Sequence, residues 1–335
     1  MTKENEFMTN PVTFLRNNVL SPPDGTPGDV LVEWDVQRAG NILTGDGATA
    51  TVSVKKAGAA KQWATFVRHG LFPGCLSLRL GTVAPEASSH PVNRAAVPMW
   101  WLPWESMSLV RFRIPPVPTA LENPREDDFP RFFMTAGING CSVMIEGPPD
   151  SPTIVHAGIN GKLARPADQF WLEQMREAQT QLGTGARTIH GVHKGDYMGE
   201  GRPEVQRFLA WKNGPGPQPF QLEVTSCFGS LIGVRYGRHW TFYLQQNVYT
   251  QQVQVLKRDQ VEAHRTNTGH KYYTDSTGTR VDRVDQQVPG RVFGTRTVKT
   301  FIRRSHQSTA VLNVGEVYPT RSFNADFRGA ITVRS

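Results

Sequence analysis

The feature that most constrains this chain is a period of two. Val30, Val32 and Trp34 alternate with Leu31, Glu33 and Asp35. Ala50–Val54, Leu76–Leu80 and Leu109–Ile114 repeat the pattern. Alternation at every second position places one set of side chains on one face of an extended strand. The runs are short and set apart by turn residues, with 31 Gly and 24 Pro in 335 residues. A chain of this kind builds packed sheets rather than helix bundles. Further strand patterns occur at Phe220–Thr225, Ser230–Tyr236, Trp240–Leu244, Val253–Leu256, Arg291–Phe293, Thr297–Ile302, Ala310–Val314 and Ala330–Val333.

Two segments break the alternation. Phe129, Phe132, Phe133 and Ala136 have helical spacing, follow the acidic Glu126-Asp127-Asp128, and predict a short helix capped by Gly137 or Asn139-Gly140. Pro166–Leu182, with Phe170, Trp171, Met175 and Leu182 on one face, predicts a second helix. Residues 183–218 read as loop. Residues 1–28, with Ser21-Pro22-Pro23-Asp24-Gly25, read as an irregular lead. The fold class expected is β-rich α+β, with packed sheets and a few helices. The aromatic run Met99–Trp104 reads as core and sheet-edge packing.

Charge divides the chain. The net charge is +8, yet residues 1–250 are almost balanced, and residues 251–335 hold 14 Lys/Arg against 7 Asp/Glu. This basic β-rich tail suits an acidic partner such as nucleic acid, a membrane surface or an acidic protein; a basic surface on a soluble β region is the plainer reading. The three cysteines, Cys75, Cys141 and Cys227, make a poor disulfide framework and fit a reducing compartment or a functional thiol. The first ten residues carry no apolar signal core, and no apolar run is long enough to span a bilayer.

The chemistry centres on Cys141 and His156. Gly147-Pro148-Pro149-Asp150-Ser151-Pro152 separates two short apolar flanks and predicts a β-hairpin. With Glu146–Ser151 as the loop, Cys141 falls directly opposite His156 on one face. An adjacent imidazole lowers a thiol's pKa and creates a thiolate–imidazolium pair that can attack a carboxamide. On this spacing alone, a structural Cys beside a core His is the plainer reading. Cys227 and His239 form a rival pair across a turn near Gly233. His190-x-x-His193 with Asp196 resembles a fragment of a metal site, short of the ligands zinc requires. No Gly-x-Ser-x-Gly, phosphate-binding loop or His-Glu-x-x-His is present.

Several ordered blocks resemble the glutamine deamidase toxins of the Burkholderia lethal factor type, and more distantly the catalytic domains of the cytotoxic necrotizing factors. They are Trp101-Leu102-Pro103-Trp104, Phe132-Phe133 with Thr135, Gly140-Cys141, His156, Asp168-Gln169-Phe170-Trp171 with Met175, and a looser Tyr243-Leu244-Gln245-Gln246. Where the family has Leu-Ser-Gly-Cys, this chain has Ile138-Asn139-Gly140-Cys141. The resemblance covers residues 29–250 and has no counterpart for 251–335. It implies a sandwich of two mixed sheets surrounded by helices, and a Thr135–Cys141–His156 catalytic set without cofactor or metal. It also implies a host protein substrate such as a DEAD-box translation-initiation helicase, reached in the host cytosol after delivery from a bacterium. A transglutaminase on the same thiol, or a non-catalytic basic protein binding nucleic acid or the translation machinery, are the alternatives.

Overall fold

In the computed structural model, residues 2–23, 34–43, 49–57, 61–72, 74–81, 96–121, 126, 128–158, 167–181, 188–199, 201–215, 220–289 and 295–320 are described. Val30, Val32, Leu182, Arg291–Phe293 and Ala330–Val333, part of the expected pattern, lie outside them. In chain order the elements are α1 (Lys3–Thr9), α2 (Pro11–Asn17), β1 (Val19–Ser21), β2 (Trp34–Leu43), β3 (Thr49–Ala57), β4 (Lys61–Arg68), β5 (Cys75–Gly81), β6 (Val97–Leu102) and β7 (Ser108–Arg113). Then come β8 (Phe132–Thr135), β9 (Ser142–Glu146), β10 (Thr153–Gly158), α3 (Ala167–Gln181), β11 (Ile189–Val192), α4 (Lys194–Tyr197) and α5 (Pro203–Asn213). Last are β12 (Gln221–Tyr236), β13 (His239–Leu256), β14 (Val261–Arg265), β15 (Lys271–Asp275), β16 (Arg280–Pro289) and β17 (Thr295–Tyr318).

The strands form two mixed sheets. One has the order β1-β5-β4-β6-β8-β12-β13-β17-β16-β15-β14, the other β11-β9-β10-β7-β3-β2. The chain divides into two compact units: residues 1–199, 227–248 and 309–335 form the first, residues 200–226 and 249–308 the second.

The first unit is layered. Between its two sheets lies a core of Trp100, Leu102, Phe133, Leu231, Trp240, Phe242 and Leu244 from the larger sheet and Val110, Phe112, Val143, Ile145 and Ile154 from the smaller. The far face of the larger sheet carries Met99, Trp101, Phe132, Met134, Ile232 and Val234, covered by Phe7, Phe14 and Leu15 of α1 and α2. The far face of the smaller sheet carries Leu109, Met144, Val155 and Ala157, covered by Phe170, Trp171 and Met175 of α3. The Met99–Trp104 run accordingly lies mainly in core strand β6, fully buried along its length. Each apolar stripe is covered, as a sheet buried on both faces requires.

Three expectations are corrected. Residues 132–135 are a strand, not a helix. Both faces of β8 are buried, so apolar residues fall at consecutive positions and the period of two disappears. The irregular lead contains two helices: Thr2 caps α1 by accepting from Asn5 N–H, and Asn10 caps α2, which begins at Pro11. The expected loop 183–218 holds β11, α4 and α5, the last opened by Pro203 and closed by Gly214 at φ 63°.

Gly233 shows how tightly the inter-sheet core is filled. It pairs with Phe133 of β8. A Cβ at this position would lie 2.7 Å from the Phe242 ring and 3.0 Å from Phe133 Cβ. Gly233→Ala is therefore expected to cost about 1–3 kcal/mol through overpacking, read as a lower urea midpoint with unchanged slope.

In the second unit, α5 lies N-terminal to β12, and Asn213 brackets Leu222, donating to its carbonyl and accepting its N–H. The strands β14 to β17 form consecutive antiparallel pairs around a small core of Leu256, Val261, Val281 and Phe301. Asp275 closes the β15–β16 turn by accepting from Thr277, Thr279 and Arg303. The Thr277 hydroxyl first, then Arg303, holds the Asp275 carboxyl down at about 2.

Candidate active site

His156 projects from the centre of the smaller sheet into the inter-sheet core. It pairs with Val110 of β7 on one side and Val143 of β9 on the other. Thr135, at the end of β8, meets it from the larger sheet: Thr135 Oγ1 lies 2.6 Å from His156 Nδ1 and 2.9 Å from the Leu102 carbonyl oxygen. Both residues are fully buried.

This geometry assigns the proton. The Leu102 carbonyl can only accept, so the single Thr135 hydroxyl hydrogen points there; otherwise two lone pairs would face each other at 2.9 Å. Thr135 Oγ1 must then accept from Nδ1–H, and Nε2 carries the lone pair. Nε2 is buried and without a hydrogen-bond partner. Burial also drives the imidazole pKa down to about 3, so His156 is a neutral base at neutral pH.

The hairpin register differs from the expected one. The loop is Gly147–Pro152, and His156 stands opposite Val143 rather than Cys141. The shift moves the partner by two positions and so preserves the face. Cys141 immediately precedes β9, falls on the same face as Val143 by this register, and shares the inter-sheet core. All three are buried, Cys141 with 9 % of its surface exposed against 0 % for His156 and Thr135.

The β9–β10 pairing ends at Ser142 and Ala157, and its extension by one step would set Cys141 across from Gly158, the last residue of β10. The missing side chain there makes room for Trp104, whose Nε1 would lie only 1.7 Å from a Cβ at Gly158. Trp104 Nε1 is buried with no hydrogen-bond partner. Burial pushes the Cys141 thiol up to about 12, while the Asn139 backbone N–H and the Trp104 indole N–H pull the other way. The loop that carries Cys141 turns through Gly140 at φ 95°. Tyr197 of α4 clamps that loop: its hydroxyl accepts from Gly140 N–H at 3.0 Å and donates to the Cys141 carbonyl at 2.6 Å. Tyr197, Trp104 and Gly158 complete the site, and their spacing along the chain gave no sign of it.

Burial thus disfavours the thiolate–imidazolium pair expected from sequence, raising the thiol and lowering the imidazole. The alkylation rate of Cys141 is expected to rise about tenfold per pH unit from pH 7 to 10, without the plateau at pH 6–7 that an ion pair produces. Mass-spectrometric quantification of iodoacetamide labelling at Cys141 reads this directly.

The rival candidates are kept apart. The β12–β13 hairpin turns at Gly237-Arg238, not near Gly233, so Cys227 is separated from exposed His239 by nine residues of strand, roughly 30 Å. Asp196 accepts from the His193 backbone N–H as an N-cap box, and the His193 ring lies 3.3 Å from Ser142 Oγ. Among the described residues no three His, Cys, Asp or Glu side chains are grouped to hold a metal. The three cysteines are buried and form no disulfide. Among the described residues no helix is long and apolar enough to cross a membrane. No protein-family model matches the chain, and no curated protein matches it in sequence.

Proposed function

We propose that the first unit is a cysteine-dependent protein-glutamine deamidase, with Cys141 as nucleophile, His156 as base and acid, and Thr135 as the residue that orients the imidazole. The observation that carries this reading is the bare, unpartnered Nε2 of His156, held in that tautomer by Thr135 in the core that contains Cys141.

The chemistry is that of a buried neutral pair. A carboxamide reaching Cys141 is attacked by sulfur as Nε2 takes the thiol proton. The S–C bond forms, and the oxyanion on the carbonyl oxygen is stabilised by the Asn139 N–H and by the Trp104 indole N–H, which has no other partner. The C–N bond then breaks as the imidazolium gives its proton to the departing ammonia. Water, deprotonated by Nε2, hydrolyses the thioester, and the Gln side chain leaves as Glu. Ionic charge arises only during reaction, which suits a site whose burial disfavours both thiolate and imidazolium at rest. The narrow exposure of Cys141 favours a slender side chain on a protein surface as substrate, and the resemblance of residues 29–250 to deamidase toxins favours a host protein.

The test is a mass-spectrometric search of a eukaryotic cell extract treated with the full chain. A gain of about 1 Da at a Gln, absent with Cys141→Ala, is the expected result, since the step needs the nucleophile. Gln-to-Glu conversion that persists with Cys141→Ala overturns the reading, as does its absence from every protein in the extract. Incorporation of a labelled primary amine in place of water marks a transglutaminase instead.

A further inference from the structure

The basic second unit contains a feature that deamidation does not use. Arg258, Arg265, Lys271, Arg283 and Lys299 line one pocket of about 500 Å³, and no acidic side chain lines it. All five are exposed. Asp285, exposed, lies 3.4 Å from Arg283 and directly across from Lys299, and Arg303, on the same strand as Lys299, is drawn away to Asp275.

The arrangement carries a cost without a ligand. Arg265 and Lys271 are directly paired across β14 and β15, and like charges so placed destabilise a sheet. An anion between them would reverse the sign. The pocket also has an aromatic wall. Tyr273, half-buried, packs edge-on against Phe301 at 5.1 Å. Across the sheet it stands between the small Ala263 of β14 and Val281 of β16. The cations come from β14, β15, β16 and β17 and the turn before them. Three strand-to-strand steps of about 4.8 Å separate the outermost, roughly 14 Å, which exceeds the reach of a single phosphate group.

From these observations we infer that the second unit binds single-stranded nucleic acid, with consecutive phosphates crossing β14 to β17 and a base stacked on Tyr273. A flexible polyanion with π-faces satisfies the spread of charge and the aromatic wall together, whereas a duplex presents its bases only at its edges. This inference is independent of the deamidase reading.

The experiment is fluorescence anisotropy on the full chain with labelled oligouridylate and oligothymidylate of about 15 nucleotides. With about four phosphate contacts, affinity should fall about 50-fold between about 50 and 200 mM salt. The double variant Lys271→Gln, Lys299→Gln, changed only at exposed positions, should weaken binding at least about tenfold and flatten the salt slope by about 1.4. Cys141→Ala should bind as the parent does. The inference is overturned if neither oligonucleotide binds at the lower salt, or if the double variant binds unchanged. It is equally overturned if a duplex of the same length binds as tightly, or if inorganic tripolyphosphate binds with the oligonucleotide's affinity, which marks a small-anion site.

Discussion

A His156→Gln protein is expected to lose at least about 10³-fold in kcat/KM for deamidation, near the upper range for removing a positioned general acid–base. Gln keeps the volume and polarity of the side chain but cannot carry a proton between sulfur, ammonia and water. Thr135→Val is expected to cost about 10²-fold. The valine preserves shape, and the Leu102 carbonyl keeps the Ala136 N–H at 2.9 Å, so the end of the β6–β8 pairing is unharmed. What is lost is the acceptor for Nδ1–H, and with it the preference for a lone pair on Nε2. Thr135→Ser restores the oxygen and should restore most of the rate, which separates tautomer control from packing. The measurement is ammonia release from the glutamine-bearing protein found in the extract search. A His156→Gln enzyme within tenfold of the parent would remove His156 from the mechanism.

How much of this was legible in the sequence depends on where each side chain sits. The alternating β5 was legible, and Leu76–Leu80 was read as a strand for that reason, whereas β4, which alternates as regularly, was not read. The two mixed sheets with covering helices are what the deamidase resemblance implied and what the structure has. The β8 strand was hidden because Phe132 and Met134 face one core while Phe133 faces the other. Long strands were broken into pieces wherever polar residues interrupted them. In β13, Gln245 is fully buried yet satisfied, donating to the Leu15 and Asn18 carbonyls and accepting from Leu20 N–H. Such tertiary partners leave no local trace. The opposite applies to α5: Pro203 at its start, Glu204 in the first turn, Val205 and Phe208 on one face and Gly214 at its end are start and stop signals that the surrounding Gly and Pro concealed.

The site follows the same logic. Cys141, His156 and Thr135 were singled out by residue type and resemblance, and the structure brings Thr135 and His156 into contact, with Cys141 in the same core. The register was wrong by an even number of positions, the one kind of error that leaves a face intact. Trp104 and Gly158 were invisible as a pair because they are 54 residues apart and meet only when the register is known.

The burial that leaves His156 a free base should also make the protein sensitive to acid. In the folded state the imidazole falls to about 3 from its ordinary 6.5. Between those values the unfolded chain binds a proton that the native state excludes, so stability rises with pH across this window. The contribution is complete above pH 6.5 and is lost as pH falls toward 3. Cys141 moves in the other direction: its folded value is raised to about 12, so its contribution is complete below 9.0 and is lost as pH rises through about 12. It therefore adds nothing to the acid limb. In urea unfolding followed by tryptophan fluorescence, the parent should lose on the order of 1 kcal/mol per pH unit more than His156→Gln between pH 6 and 4. Carboxylates titrate in both proteins and cancel in the difference. Parallel acid limbs would mean that His156 takes up its proton without unfolding, that the inter-sheet core admits the charge at rest, and that the neutral thiol–imidazole pair gives way to an ionised one before substrate arrives.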